Sequence, residues 1–127
     1  MRLKSRRLDV TTDESGDATT NDTLSIFGCL YAVETIDGDL SDGVDAVVSV
    51  QSTESGVALT LLTLTDFNTD AMYYPRHVVH GETGAALTGT SGGDRAMPVI
   101  NGTLRVVIAQ GGDTKTGGII VYYIPGR

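Results

Sequence analysis

Tryptophan is absent from this chain, and cysteine occurs once, at Cys29. A lone thiol cannot close an intramolecular disulfide, so the fold must hold without one. That suits folding in a reducing cytoplasm, or indifference to redox. The only histidines are His77 and His80. A strand sends residues three apart to opposite faces, so these two cannot share a metal in regular β-geometry. No apolar run approaches the roughly 20 residues a membrane-spanning helix needs. The start, MRLKSRRLDV, is basic but leads into no apolar stretch, so no signal peptide is expected. Neither an internal repeat nor an amphipathic helix is visible.

Positive charge is missing over the longest stretch. From Leu8 through Pro75 there is no Lys or Arg, and that stretch holds 13 of the 16 acids. Arg2, Lys4, Arg6 and Arg7 precede it. A net charge of -7 argues against nucleic acid as the main partner. The division instead suggests a basic arm that docks on an acidic neighbour, set against the plainer reading of a solvated acidic surface.

What the chain has in abundance is glycine, 16 in 127 residues, a composition that favours turns and short strands over helices. Apolar residues alternate in several runs. Thr23–Ile36 is apolar in both phases and reads as a long strand, bent at Gly28. Val44–Gln51 and Val57–Thr65 read as a hairpin through STESG, with the second strand near the sheet centre. Met72–His80 contains Pro75, which suits an edge or broken strand. Gly81–Pro98 reads as a long exposed loop with a short strand near Ala86–Thr88. Gly102–Gln110 and Gly118–Ile124 flank the turn signal GGDTKTGG and predict a closing hairpin. The expected fold is all-β: a single-domain β-sandwich or jelly-roll-like barrel of about seven strands over residues 13–127. Residues 1–12 are expected to form an extended basic N-terminal arm or an edge strand.

Chemistry is sparse. Asp37, Asp39, Asp42 and Asp45 could offer oxygens to calcium. The EF-hand pattern fails, however: Ser41 and Asp42 stand where a ligand and the invariant glycine belong, and Val48 replaces the closing acid. An acidic turn is the plainer reading. GGDTKTGG lacks the spacing of a phosphate loop and lies between strands. Tyr73 and Tyr74 are a weak candidate for stacking a sugar, with core packing as the alternative. No acid–base or nucleophile set is legible. The chain is therefore expected not to be an enzyme, and to bind neither metal nor cofactor.

One pattern resembles a known group. Tyr74-Pro75-Arg76, then Asn101-Gly102-x-Leu104-x-Val106, then Gln110-Gly111-Gly112-Asp113-x-Lys115-x-Gly117, closed by Ile120–Ile124, is similar to small virion proteins of tailed bacteriophages that decorate or cement the capsid. The resemblance covers residues 72–124. It implies a β-rich protein present in many copies, on the exterior of the virion, made in the host cytoplasm. It further implies bridging of major capsid protein subunits and contact with neighbouring copies, with no catalytic residue to carry over. Arg2, Lys4, Arg6, Arg7, Arg95 and Lys115 are the candidate partner contacts. The rival readings are a head–tail connector or tail component, and a carbohydrate- or ligand-binding β-domain.

Overall fold

The computed structural model describes residues 2–80, 82–86 and 95–126. The described residues contain nine strands and no helix. In chain order they are β1 (Lys4–Thr11), β2 (Ala18–Ile36), β3 (Asp45–Ser52), β4 (Ala58–Leu64), β5 (Ala71–Tyr73), β6 (His77–Val78), β7 (Arg95–Ala96), β8 (Val99–Ala109) and β9 (Thr116–Pro125). Seven of them form one antiparallel sheet in the order β1-β9-β2-β8-β3-β4, with β5 added to β2. Strands β6 and β7 form a separate small ladder.

The organiser is β2, at 19 residues. Its first part, Ala18–Cys29, pairs with β8. Its second part, Gly28–Ile36, pairs with β9, and only Gly28 and Cys29 pair with both. One layer is thus the start of β2 with β8, β3 and β4, and the other is β1, β9, the end of β2 and β5. At the handover Gly28 has φ 156°, and a Cβ there would overlap the Ile124 carbonyl oxygen. Only glycine lets the two backbones approach so closely. The extra residue at the register shift between Leu30 and Ala32 then moves the buried face from Ile26, Gly28 and Leu30 to Val33 and Thr35. The apolar character in both phases of this strand partly reflects that change of phase.

Both layers feed one core. Leu8 and Val10 of β1 and Ile119, Val121 and Tyr123 of β9 join Val48 and Val50 of β3 and Leu104, Val106 and Ile108 of β8. Each fully buried Leu, Ile or Val stabilises the fold by about 1.5–3 kcal/mol relative to exposure. The chain is therefore an all-β single domain of β-sandwich type.

Three expectations need correction. The closing hairpin does not form: β8 pairs with β2 and β3, whereas β9 pairs with β1 and β2. Because β2 lies between them, the glycine-rich segment joining them crosses from one layer to the other. It is held by other loops rather than by its own ends. Gly111 N–H donates to the Gly16 carbonyl (2.8 Å), Ser41 N–H to the Gly111 carbonyl (2.9 Å), and Thr114 N–H to the Asp13 carbonyl (3.2 Å). Buried Thr12 donates through Oγ1 to the Gly112 carbonyl (2.5 Å) and accepts from Lys115 N–H (2.8 Å). Second, β4 lies at the end of the sheet and not near its centre. It does form the expected hairpin with β3, with Leu61 as an extra, inward-turned residue. Third, of the strand expected near Ala86–Thr88, Ala86 makes an isolated bridge to His80, and residues 87–94 lie outside the described residues.

Candidate docking surface

Strand alternation divides β9 cleanly. Ile119, Val121 and Tyr123 enter the core, so Ile120, Tyr122 and Ile124 stand on the outer face, half-buried, with no second layer over them among the described residues. Their register neighbours extend the face. Ser5 pairs with Tyr122 and Arg7 with Ile120 on one side, and Ala32 pairs with Tyr122 and Glu34 with Ile120 on the other. Leu3, just before β1, and Met72 and Tyr74, at and beyond β5, complete an apolar groove of about 260 Å³ with Tyr31, Ala32 and Tyr122. Leu3, Met72 and Tyr74 are all exposed, Tyr74 at 56%.

Three of the aromatic rings here have partners within the chain. Tyr31 and Tyr74 meet edge to face, 5.8 Å between centroids at 87°, a favoured geometry for a ring pair. The Tyr122 hydroxyl donates to Glu34 Oε1 at 2.7 Å. That bond, with desolvation and the Glu34 charge, holds the Tyr122 phenol above its ordinary pKa. Arg76 donates through one guanidinium nitrogen to the carbonyls of Tyr31 (3.1 Å) and Pro75 (2.7 Å), which fixes the chain that carries Tyr74. Tyr and Met around an apolar groove is the composition enriched at protein interfaces. Farther along the same layer, Arg7, Asp9, Ile36, Gly38, Thr116 and Gly117 line a shallow cleft of about 350 Å³.

The six candidate contact residues do not form one patch. Arg2 and Lys4 are exposed at the groove end of β1. Arg6 is engaged within the chain: its guanidinium meets Asp22 Oδ1 at 2.6 Å, with side-chain exposures of 26% and 9%. Arg7 pairs with Asp9 at 2.8 Å on the surface. Lys115 is half-buried at the other end of the layer, beyond the Thr11↔Thr116 pair. Arg95 lies exposed in β7, opposite Val78.

The acidic loop is tied by carboxylate–backbone hydrogen bonds to the segments beside it. Asp39 Oδ1 accepts from Thr116 N–H (2.6 Å) and Oγ1 (3.2 Å), and the backbone donor chiefly holds its pKa below the ordinary value. Asp45 Oδ1 accepts from Asp66 N–H at 3.1 Å, and Asp70 Oδ1 from Asp37 N–H at 2.8 Å. Asp37 Oδ1 has no partner. Desolvation first, then the charges of Asp42, Asp70 and Asp39, push the Asp37 carboxyl up. Among the described residues no three His, Cys, Asp or Glu side chains are grouped to hold a metal ion. His77 lies in β6, and His80 bridges to Ala86.

The sequence singles out Tyr73 and Tyr74, and Leu3 as an apolar contact of the arm, whereas Tyr31 and Tyr122 read as packing residues and Met72 has no assigned role. The available signal was Ile119–Ile124, apolar in both phases. Such a strand has an apolar outer face unless another layer covers it.

No family model and no curated protein matches the chain. Among solved structures, a serine protease of Aeromonas sobria is 8% identical, with a TM-score of 0.40 over 98% of this chain. The chain spans 28% of that protease's length. Two others are viral particles. The virus-like particle of the prawn (Macrobrachium rosenbergii) extra small virus is 12% identical, covering 99% of this chain and 80% of that one, with a TM-score of 0.27. The VP2 subviral particle of infectious bursal disease virus is 14% identical, covering 98% and 33%, with a TM-score of 0.30. Likeness at these scores carries no argument about role. The protease match does correct one expectation, that the chain is not an enzyme: that exclusion does not stand. It rested on the lack of a legible motif, whereas catalytic groups are assembled in space from distant positions in no fixed order. The match does not establish catalysis either.

Proposed function

We propose that this chain is a virion structural protein that decorates or cements the capsid of a tailed bacteriophage, docking in many copies on major capsid protein subunits. The observation that carries the reading is the apolar outer face around Tyr31, Met72, Tyr74 and Tyr122, which no layer covers among the described residues. Exposed Arg7 stands on the same face, opposite Ile120, and suits an acidic rim on the partner. Lys115 lies at the far end of the layer, where a second capsid subunit would meet it, and contact with two subunits is what cementing requires. Each contact is modest in area, and multiplicity supplies the avidity.

The test has two arms. Mass spectrometry of intact virions made from the genome that encodes this chain should find it at a copy number comparable to the capsid subunits. Tyr122→Ser together with Tyr74→Ser should remove it from the particle while the purified variant stays folded. Absence from the virion, or full occupancy by the double variant, overturns the reading.

The same tyrosines favour a second reading, a carbohydrate- or ligand-binding β-domain, because aromatic faces beside a carboxylate suit a sugar ring. Glycan-array binding lost on Tyr74→Ser, with no virion association, would select it.

A further inference from the structure

Strand β4 pairs with β3 on one side, and among the described residues no strand lies along the other. Such an edge presents unpaired N–H and C=O groups, a template for another strand. Edges are ordinarily guarded by brevity, proline, charge or cover. Strand β5 has three residues and is followed by Pro75. Strand β1 carries Lys4, Arg6 and Arg7, and the start of β2 lies against it through the Arg6–Asp22 pair and a Thr20 Oγ1 hydrogen bond to the Asp9 carbonyl (3.4 Å). Strand β4 has none of these guards. From Gly56 through Thr65 there is neither a charged residue nor a proline.

We propose that two copies of this chain join through β4, antiparallel about a two-fold axis at the Leu61–Leu62 bulge, so that the sheet runs on from one copy into the next. The flanking charges select this occupant and this orientation. Glu54 and Asp66 bracket the uncharged stretch. With that bulge on the axis, Asp66 of one copy faces Val57 of the other, and Glu54 faces Thr69, so no acids oppose. In-register parallel pairing would set Glu54 on Glu54 and Asp66 on Asp66, which is destabilising. A two-fold interface must be self-complementary, and β4 meets that condition: exposed Thr60 faces exposed Thr63, half-buried Leu59 faces half-buried Leu64, and exposed Ala58 faces exposed Thr65. The bulge at Leu61 turns that side chain into its own core and divides the edge into two equal short ladders related by the axis. A junction of one strand pair is small beside the roughly 1,200 Å² or more of stable complexes. The dimer is therefore weak in solution and gains strength where copies are held close. None of this depends on the virion reading.

The experiment is sedimentation of the full chain across a concentration series. The 13.3 kDa monomer should convert to twice that mass as concentration rises, with slower amide exchange over residues 58–64. Thr60 is exposed, so its variants should fold, as circular dichroism would verify. On the dimer diagonal the two Thr60 positions are close enough for long side chains to interact. Thr60→Lys alone and Thr60→Glu alone should each weaken association about fivefold, and an equimolar mixture of the two should recover it. A chain that stays monomeric at every concentration overturns the proposal. So does association that survives in each variant alone, or that is lost instead with Tyr122→Ser.

Discussion

Strands β1 and β4 end the same sheet. β1 packs Lys4, Arg6, Arg7 and Asp9 into eight residues, whereas β4 has seven and no charge at all. Burial differs in the same sense. β1 sends Leu8 and Val10 fully into the core, while β4 buries only Leu61 to that degree and leaves Leu59, Leu62 and Leu64 partly open. β1 is thus anchored inward and charged outward. β4 is lightly anchored and chemically permissive outward. A strand that is hard to remove and discouraged from pairing serves the fold, and one that is loosely held and free to pair serves assembly.

The largest effect expected from breaking this contrast is on stability. Leu8→Ala should cost about 2–4 kcal/mol, as truncation in a sealed core does, and Leu62→Ala about 1 kcal/mol because its site is already half open. Urea unfolding of the two variants measures the difference. Equal losses would mean that β4 is anchored as firmly as β1. Next comes the docking face. Deleting residues 1–7 removes Leu3 from the groove and the Lys4–Arg7 part of the ladder to β9. Occupancy on the particle should fall at least about tenfold and stay low at high salt, because exposed ion pairs supply only about 0–1 kcal/mol each. Recovery of occupancy by salt adjustment alone would assign the contact to charge. Smaller again is Arg6→Ala, which leaves Asp22, already carrying one unpartnered oxygen, without its cation. A loss of about 1 kcal/mol is expected for this partly screened pair, and Arg7→Ala, at a fully solvated pair, should cost less.

The smallest effect lies away from both edges. The Asp37 carboxyl has a raised pKa, so its ionised form weighs against folding near neutral pH. Asp37→Asn should therefore raise Tm at pH 7. The gain should shrink as pH falls through the raised folded value and vanish below the ordinary Asp value of about 3.9. A gain that persists at pH 3 would show that charge is not its cause.

The sequence was legible where the signal is local. Alternation located β2, β3, β4, β8 and β9, Gly28 marked the handover on β2, and STESG marked the β3–β4 hairpin. It failed where partners are chosen at long range. GGDTKTGG has the glycines of a hairpin turn, but β2 is long enough to serve both layers and takes the place between β8 and β9. The leucines of β4 read as a central strand, although among the described strands β4 pairs with β3 alone. The docking face stayed hidden because Tyr31, Met72, Tyr122 and Leu3 are scattered in sequence and meet only through the register of β1, β9, β2 and β5.

The pairing of Lys4 with Tyr123 brings chain entering at Arg2 and chain leaving at Gly126 to the same end of one strand pair. Tension applied between those two points pulls across the β1–β9 ladder, so its hydrogen bonds load one rung at a time from Lys4–Tyr123 toward Thr11–Thr116. Such a zipper parts at low force. Tension along β2, which is bonded on both sides where the layers meet, would instead load many rungs together in shear. The protein is therefore mechanically anisotropic: soft when drawn by its two ends, stiff along its longest strand.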